Sequence, residues 1–312
     1  MGLTRPFYPH LISFGSQSPT VENVVQISSV TTKNNDTMMI ERCASGVVPE
    51  YVGIARRDPD VDFQTTQVDD ILVACTDSNI ARDLSSGTVD IGYRAGKPLG
   101  TREPIAGTVH QIARLNQDAL LYWTNLRAQD GETAEISCIL LTAFNGTDAP
   151  LTWLGSQALS GDCLVKGYYK LSRIDINGTV LNGVQEANME TGVQIESIPS
   201  DGEAYVGYKG IKTSEPKISI TTKNLEQGTQ WQGGVSSEAV ALTAFNFYLR
   251  KCSRTGILVP KATASHIKIS ATTGLVYHQE ASGSPVDAKF MVCLEQPVSG
   301  NIFDIAFSQT IP

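Results

Sequence analysis

Residues 58–72 read DPDVDFQTTQVDDIL, and residues 215–227 read EPKISITTKNLEQ. With Pro59 laid on Pro216, the two stretches run in register 157 positions apart without a gap. Val61 meets Ile218, Phe63 meets Ile220, Thr65 meets Thr222, Val68 meets Leu225 and Asp69 meets Glu226. Up to the threonines both alternate apolar and polar residues, the period of a half-buried strand. Beyond them the first copy places apolar residues at 68, 71, 72 and 75, a helical spacing. Thr66 and Asp69 stand as a capping box for that helix, with acid in its first turn. The second copy meets Gly228 early, so its helix is expected to be shorter or absent.

Asp58, Asp60 and Asp62 alternate as cation ligands do. The second copy carries Lys217 and Ser219 where the first has Asp60 and Asp62. A hard cation needs several oxygen ligands, and the glycine and distant Glu of a calcium loop are missing here. The reading is a polar strand face, with no metal ligands assigned.

Other pairs lie at similar spacings. YVG at Tyr51 recurs at Tyr205, 154 positions on, and Tyr122 with Tyr277 and Cys138 with Cys293 are 155 apart. The stretches ALLYWTNLRAQDGETAEISCIL and GLVYHQEASGSPVDAKFMVCLE both have the form strand, turn, strand. These offsets are close to half of the 312 residues, which implies a tandem duplication. LTAFN at Leu141 and Leu242 is out of register with them, 101 positions apart, and is taken as coincidence.

The rest of the chain reads as β structure. VVQISSVTT, TVDIGYR, KISITT, SHIKIS and AKFMVCL are short runs rich in β-branched or aromatic residues. Asn177-Gly178, Asn182-Gly183, QDG at 129 and SGSP at 282 mark turns between them. The expected fold is mainly β: two tandem, similar β-sandwich or partial-barrel domains, residues 1–160 and 161–312, each with a short helix. MGLTRPFYPHLISFGSQS admits two readings, an arm ordered only in an assembly or a strand laid over the first domain.

Composition narrows the function. At 41% hydrophobic the chain can build a core. A net charge of −8 argues against a protein that grips duplex nucleic acid, which needs clustered Lys and Arg. The N-terminus lacks the apolar core of a signal peptide, and the longest apolar run, ISCILLTAF, is too short for a membrane helix. A soluble protein made in a cytoplasm is expected. The six cysteines (43, 75, 138, 163, 252 and 293) show no metal spacing and read as free thiols. The NGT sequons at Asn145 and Asn177 read as turns.

No catalytic constellation emerges. His10, His110, His266 and His278 lack HExxH or HxH spacing, and at the 155 offset the last two face Gln111 and Trp123. GYRAGKP at Gly92 has the wrong spacing for a phosphate loop and Pro98 where Ser or Thr would hold magnesium. GSQS at Gly15 and GSQA at Gly155 read as loops, and GxSxG and GxGxxG are missing. Arg56-Arg57 is too small a basic patch for nucleic acid. No catalytic, cofactor or metal residue is assigned, and no enzyme is expected.

Two similar β-domains without a site point to function through surfaces, in a ring of repeated interfaces. YVGIARRDPDVDFQTTQVDDIL resembles a pattern in tail tube proteins of long-tailed bacteriophages, in which an extended P-x-V-x-F-x-T-T segment leads into a helix. The resemblance covers about twenty residues per half, and EPKISITTKNLEQ is the weaker copy. It implies three two-domain chains per ring, rings stacked into a tube around a continuous β-barrel, and passage of double-stranded DNA. Acidic or small polar residues would then face the lumen. It implies a tape-measure protein, a tail terminator and baseplate proteins as partners, assembly in the host cytoplasm, and a place in the virion tail. Two alternatives stay open: a tandem jelly-roll capsid or spike protein, and a host- or carbohydrate-binding tandem sandwich. For the last, Trp123, Trp153 and Trp231 are too scattered to form an aromatic face.

Overall fold

The computed structural model describes residues 6–14, 24–41, 51–84, 87–96, 107–116, 119–159, 167–200, 202–231, 239–283 and 287–312. The chain begins with strands β1 (Phe7–Ser13), β2 (Val24–Gln26) and β3 (Ser29–Lys33), then a hairpin of β4 (Thr37–Glu41) and β5 (Tyr51–Arg56). Strand β6 (Asp60–Thr65) leads into helix α1 (Val68–Ala74). Six strands follow: β7 (Ala81–Leu84), β8 (Val89–Ala95), β9 (His110–Leu115), β10 (Ala119–Gln129), β11 (Glu135–Thr142) and β12 (Leu151–Gln157).

The second half opens with β13 (Tyr168–Ile176), β14 (Thr179–Val180) and β15 (Val184–Glu190), then a hairpin of β16 (Gln194–Pro199) and β17 (Val206–Thr213). Strand β18 (Lys217–Thr222) leads into α2 (Leu225–Thr229). It closes with β19 (Val240–Leu242), β20 (Phe245–Cys252), β21 (His266–Ala271), β22 (Gly274–Ser282), β23 (Asp287–Leu294) and β24 (Asp304–Gln309).

These strands make three large antiparallel sheets and the two hairpins. One five-stranded sheet runs β12-β9-β8-β1-β2 and another β14-β13-β20-β21-β24. Between them a ten-stranded sheet runs β19-β22-β23-β18-β15-β10-β11-β6-β3, with β7 also on β10. Each five-stranded sheet packs on its own half of the long one. Ile12, Ile91 and Ala113 share a core with Val61, Phe63 and Leu140 in the first half. Ile174, Phe247 and Ile269 do so with Ile218, Ile220 and Phe290 in the second. The mainly β, sandwich architecture read from the sequence is the one seen.

Strand pairing recurs between the halves. The ladders β1·β8, β8·β9, β9·β12, β3·β6, β6·β11, β10·β11 and β7·β10 have counterparts in β13·β20, β20·β21, β21·β24, β15·β18, β18·β23, β22·β23 and β19·β22. Irregularities recur as well. The β10·β11 register shifts between Trp123 and Asn125, and the β22·β23 register between His278 and Glu280, 155 positions on. Ser156 in β12 and Ser308 in β24 both take positive φ (57° and 55°) at a register shift. A non-glycine residue seldom accepts that conformation, so its placement is set by the surrounding ladder.

The helices obey the same rule. Thr65 Oγ1 accepts from Gln67 N and Thr222 Oγ1 from Asn224 N, both at 3.0 Å. These buried threonines turn the chain out of the strand. The expected Thr66 cap is not formed: Gln67 is the α1 N-cap and gives no side-chain cap bond. In α2 Asn224 does cap, accepting from Gln227 N at 3.1 Å. As expected, α2 is the shorter helix, with five residues against seven.

Of the two readings of the N-terminal stretch, the strand is the one seen for residues 7–13: β1 is paired on both sides, with Leu11, Ile12 and the following Phe14 buried. Further expectations need correction. Gly155–Gln157 is not a loop but the end of β12. Cys138 does not correspond to Cys293. Cys138 stands opposite Phe63 and Phe290 opposite Ile220, so the β11 and β23 ladders match 152 positions apart. The β10–β11 turn is three residues longer than the β22–β23 turn, and an odd shift moves a side chain to the other face. YVG at Tyr205 is not the counterpart of YVG at Tyr51. The ladders break between Thr37 and Met38 and between Gln194 and Ile195, which sets Tyr51 on Tyr208 and Gly53 on Gly210. The two LTAFN stretches fall in different settings, at the end of β11 and across the β19–β20 junction. The expected boundary at 160/161 lies outside the described residues.

Candidate functional site

The three aspartates that suggested a metal are occupied by protein groups. Asp60 and Asp62 project from the same face of β6, where Lys33 of β3 pairs with both. Asn35 Nδ2 donates to Asp60 Oδ2 at 2.7 Å. Lys33 is held above its ordinary pKa, chiefly by its hydrogen bond to Asp62, and burial raises Asp60. Asp58 takes Arg56 at 3.1 Å and also Lys209 from the second half. Among the described residues no group of three or more His, Cys, Asp or Glu is arranged to hold a metal ion.

The remaining sequence candidates disperse. His110 and His266 are buried and occupy matching places: each accepts at Nδ1 from a backbone N–H of the neighbouring strand, Ala95 or Lys251, at 3.1 Å. They lie 156 positions apart, so His266 corresponds to His110 and not to Gln111. Burial lowers the pKa of His110, with the Arg94 charge adding to it. The matched bonds mark these histidines as structural. Cys75, Cys138 and Cys252 are buried free thiols and Cys293 is a half-buried one; Cys43 and Cys163 lie outside the described residues. Burial pushes the Cys75, Cys138 and Cys293 thiols up, which disfavours the thiolate that reactivity needs. Asn145 and Asn177 are in turns, Asn145 Oδ1 accepting from Thr147 N and Asp148 N at 2.9 Å. Trp123 and Trp231 are buried, while Trp153 is exposed and tilts against Tyr93 with ring centroids 5.4 Å apart.

What the chain does build is a seam. Strand β10 of the first half pairs with β15 of the second, Asn125 opposite Glu190 through Gln129 opposite Glu186. That ladder fuses two half-sheets into one. Phe303 crosses from the second half to meet the Trp123 ring edge-on at 5.9 Å, and Asn79 Nδ2 donates to Phe303 O at 2.8 Å. The β16–β17 hairpin also crosses. Arg57 N donates to Ala204 O at 2.6 Å and Phe144 N to Val206 O at 2.8 Å. Phe144 stacks on Tyr205 at 5.6 Å, and Lys209 Nζ donates to Pro59 O at 2.7 Å.

The same sheet ends in two open edges. Strand β22 matches β10, yet Glu280, Ala281 and Ser282 are exposed and among the described residues have no partner like β15. Strand β3 matches β15 and among the described residues pairs only with β6. Part of the outer face of the sheet is polar, its outward residues alternating with buried Val61, Phe63, Ile136, Ala187, Met189 and Ile218, while Leu120, Tyr122, Ile139, Leu141, Leu275, Tyr277 and Met291 make the rest of that face apolar. Across it Asp60, Asp62, Glu135, Glu186, Glu190, Glu280 and Asp287 outnumber Lys33, Arg127, Lys217 and Lys289. Arg127 pairs with Glu186 at 2.6 Å and Lys217 with Glu190 at 3.3 Å. Neither protein-family models nor curated proteins give a match to this sequence.

Proposed function

We propose that the chain is a tandem duplication that serves as the repeating subunit of a hollow tube, the tail tube of a long-tailed bacteriophage. Three chains close a ring of six similar sandwiches, rings stack, and genomic DNA passes through. The observation that carries this reading is the β10·β15 seam together with its two unmatched counterparts. Carried over to β22 and β3, its register sets Glu280 opposite Lys33, Ala281 opposite Thr32 and Ser282 opposite Thr31. Mating these edges from chain to chain satisfies backbone groups that an open edge leaves to water. The contact joins different surfaces, so it closes a ring or runs on as a filament.

The polar part of the outer face of the long sheet is the candidate lumen. Its carboxylate excess supports the expectation of an acidic, small-polar lining, which repels phosphate and lets DNA slide. A tape-measure protein would fill that lumen before DNA release, with a tail terminator and baseplate proteins at the tube ends. A tandem jelly-roll capsid or spike protein keeps the sheets of its two domains separate, and the single sheet through both halves favours the tube.

Negative-stain microscopy tests this directly. Rings or hollow tubes are expected from the purified protein. Neighbouring strand residues point their N–H groups to opposite sides, so of Ala281→Pro and Ser282→Pro one removes a donor from the open edge. That variant is expected to lose the rings while keeping its β circular dichroism. A wild-type protein that stays monomeric at high concentration, or rings unaffected by either proline, would overturn the proposal.

A further inference from the structure

The strand ladder and the Phe303 contact are only part of what joins the halves; the β16–β17 hairpin adds a further contact. It leaves β15, passes β7 and the start of β10, and encloses a cleft of about 490 Å³ between Tyr208 and Ile211 on one side and Asp83, Leu120 and Phe144 on the other. The β4–β5 hairpin leaves β3 in the same way. Its ladder breaks at the matching residue, and in each hairpin a tyrosine ring lies over the glycine two residues on, Tyr51 over Gly53 and Tyr208 over Gly210. Within its own chain this hairpin stays uncovered, with Met38, Met39, Ile40, Tyr51, Val52 and Ile54 all exposed. The surface matching the floor of the cleft is uncovered too. Leu275 corresponds to Leu120 by its place in the β22·β23 ladder and is 41% exposed.

We infer that the β4–β5 hairpin of one chain straps across the start of β22 in a second copy of this chain, with Tyr51 seated at Leu275. The occupant is a second copy because the chain already lays the equivalent hairpin on the equivalent surface once, internally. Matching the open β3 and β22 edges in the register of the internal seam brings the remaining hairpin to the remaining surface. The inference rests on the chain-to-chain mating proposed above. It adds an apolar strap to a contact that otherwise consists of a short ladder, and it explains an exposed apolar patch of the kind that marks protein interfaces.

Photo-cross-linking separates the two ideas. Tyr51 is replaced by p-benzoylphenylalanine in chains grown with heavy isotopes, and these are assembled with unlabelled wild-type chains. After irradiation, adducts from heavy position 51 to light peptides containing Gly274–Val276 or Glu295–Gln296 are expected. If microscopy shows rings and the adducts are missing, or are found only within one chain, the strap is overturned while the edge mating stands. If neither rings nor intermolecular adducts form, both fall.

Discussion

The pairing of Lys209 with Asp58 supports an unequal pair of mutations. Lys209 is a cation with a side chain 3% exposed, and Asp58 is a carboxylate 26% exposed. Asp58 has a second cation, Arg56, at 3.1 Å, whereas Lys209 is left with Pro59 O at 2.7 Å and the field of the Asp60 carboxylate, itself shared with Lys33, if the Asp58 carboxylate goes. Asp58→Asn therefore strands a buried charge and is expected to cost about 3–5 kcal/mol, the usual penalty for breaking a buried pair from one side. Lys209→Met keeps the apolar stem in place and leaves Asp58 partly hydrated with Arg56, for a loss of about 1–2 kcal/mol. Urea unfolding followed by tryptophan fluorescence, at one fixed protein concentration, compares the two. A Lys209→Met loss equal to or larger than that of Asp58→Asn would refute the reasoning, because it would mean the lysine has another stabilising partner or is hydrated in solution.

Phe303→Ala removes a fully buried ring that joins the two halves and is expected to cost about 3–5 kcal/mol, seen as a lower Tm in calorimetry. Val298→Ala, in the same loop but fully exposed, should leave Tm unchanged; equal effects would contradict the described packing. Asp70 has its pKa raised to about 6, first by burial and then by the Asp69 charge. Its folded value lies above the unfolded one, so the ionised carboxylate weighs against folding above pH 6 and ceases to do so by about pH 4. Asp70→Asn is expected to raise Tm at pH 7.5, with the gain fading as pH falls from 6 to 4, and a gain constant across that range would argue against a buried ionised group.

Much of the fold was legible because it rests on local periodicity. The alternation at Val61 and Phe63, the threonines at 65 and 222, and the 157-residue register from Pro59 to Pro216 all sit within single strand-to-helix units with no length change. The Tyr122–Tyr277 match held for the same reason, being confined to one strand. Matches that crossed a turn failed. Three extra residues between β10 and β11 displaced Cys138 from Cys293, and a shared YVG tripeptide outweighed the true Tyr-x-Gly counterpart at Tyr208. His110 and His266 pair at a spacing of 156, one residue off the 155 of the neighbouring matches, so their likeness lies in the shared backbone bond and not in the common offset. The seam was invisible for a deeper reason. Asn125 and Glu190 meet only through backbone pairing, which leaves no residue signature, and the crossing contacts Phe303–Trp123 and Lys209–Asp58 join positions far apart along the chain.

The covalent bond between the halves makes the β10·β15 ladder indifferent to dilution. Its two edges are tethered, so their local concentration is fixed by the linker and not by how much protein is in the tube. In the proposed assembly the β22 and β3 edges enjoy no such tether and obey mass action, so dilution is expected to open only every second joint, releasing whole two-sandwich pieces and no single sandwiches without proteolysis.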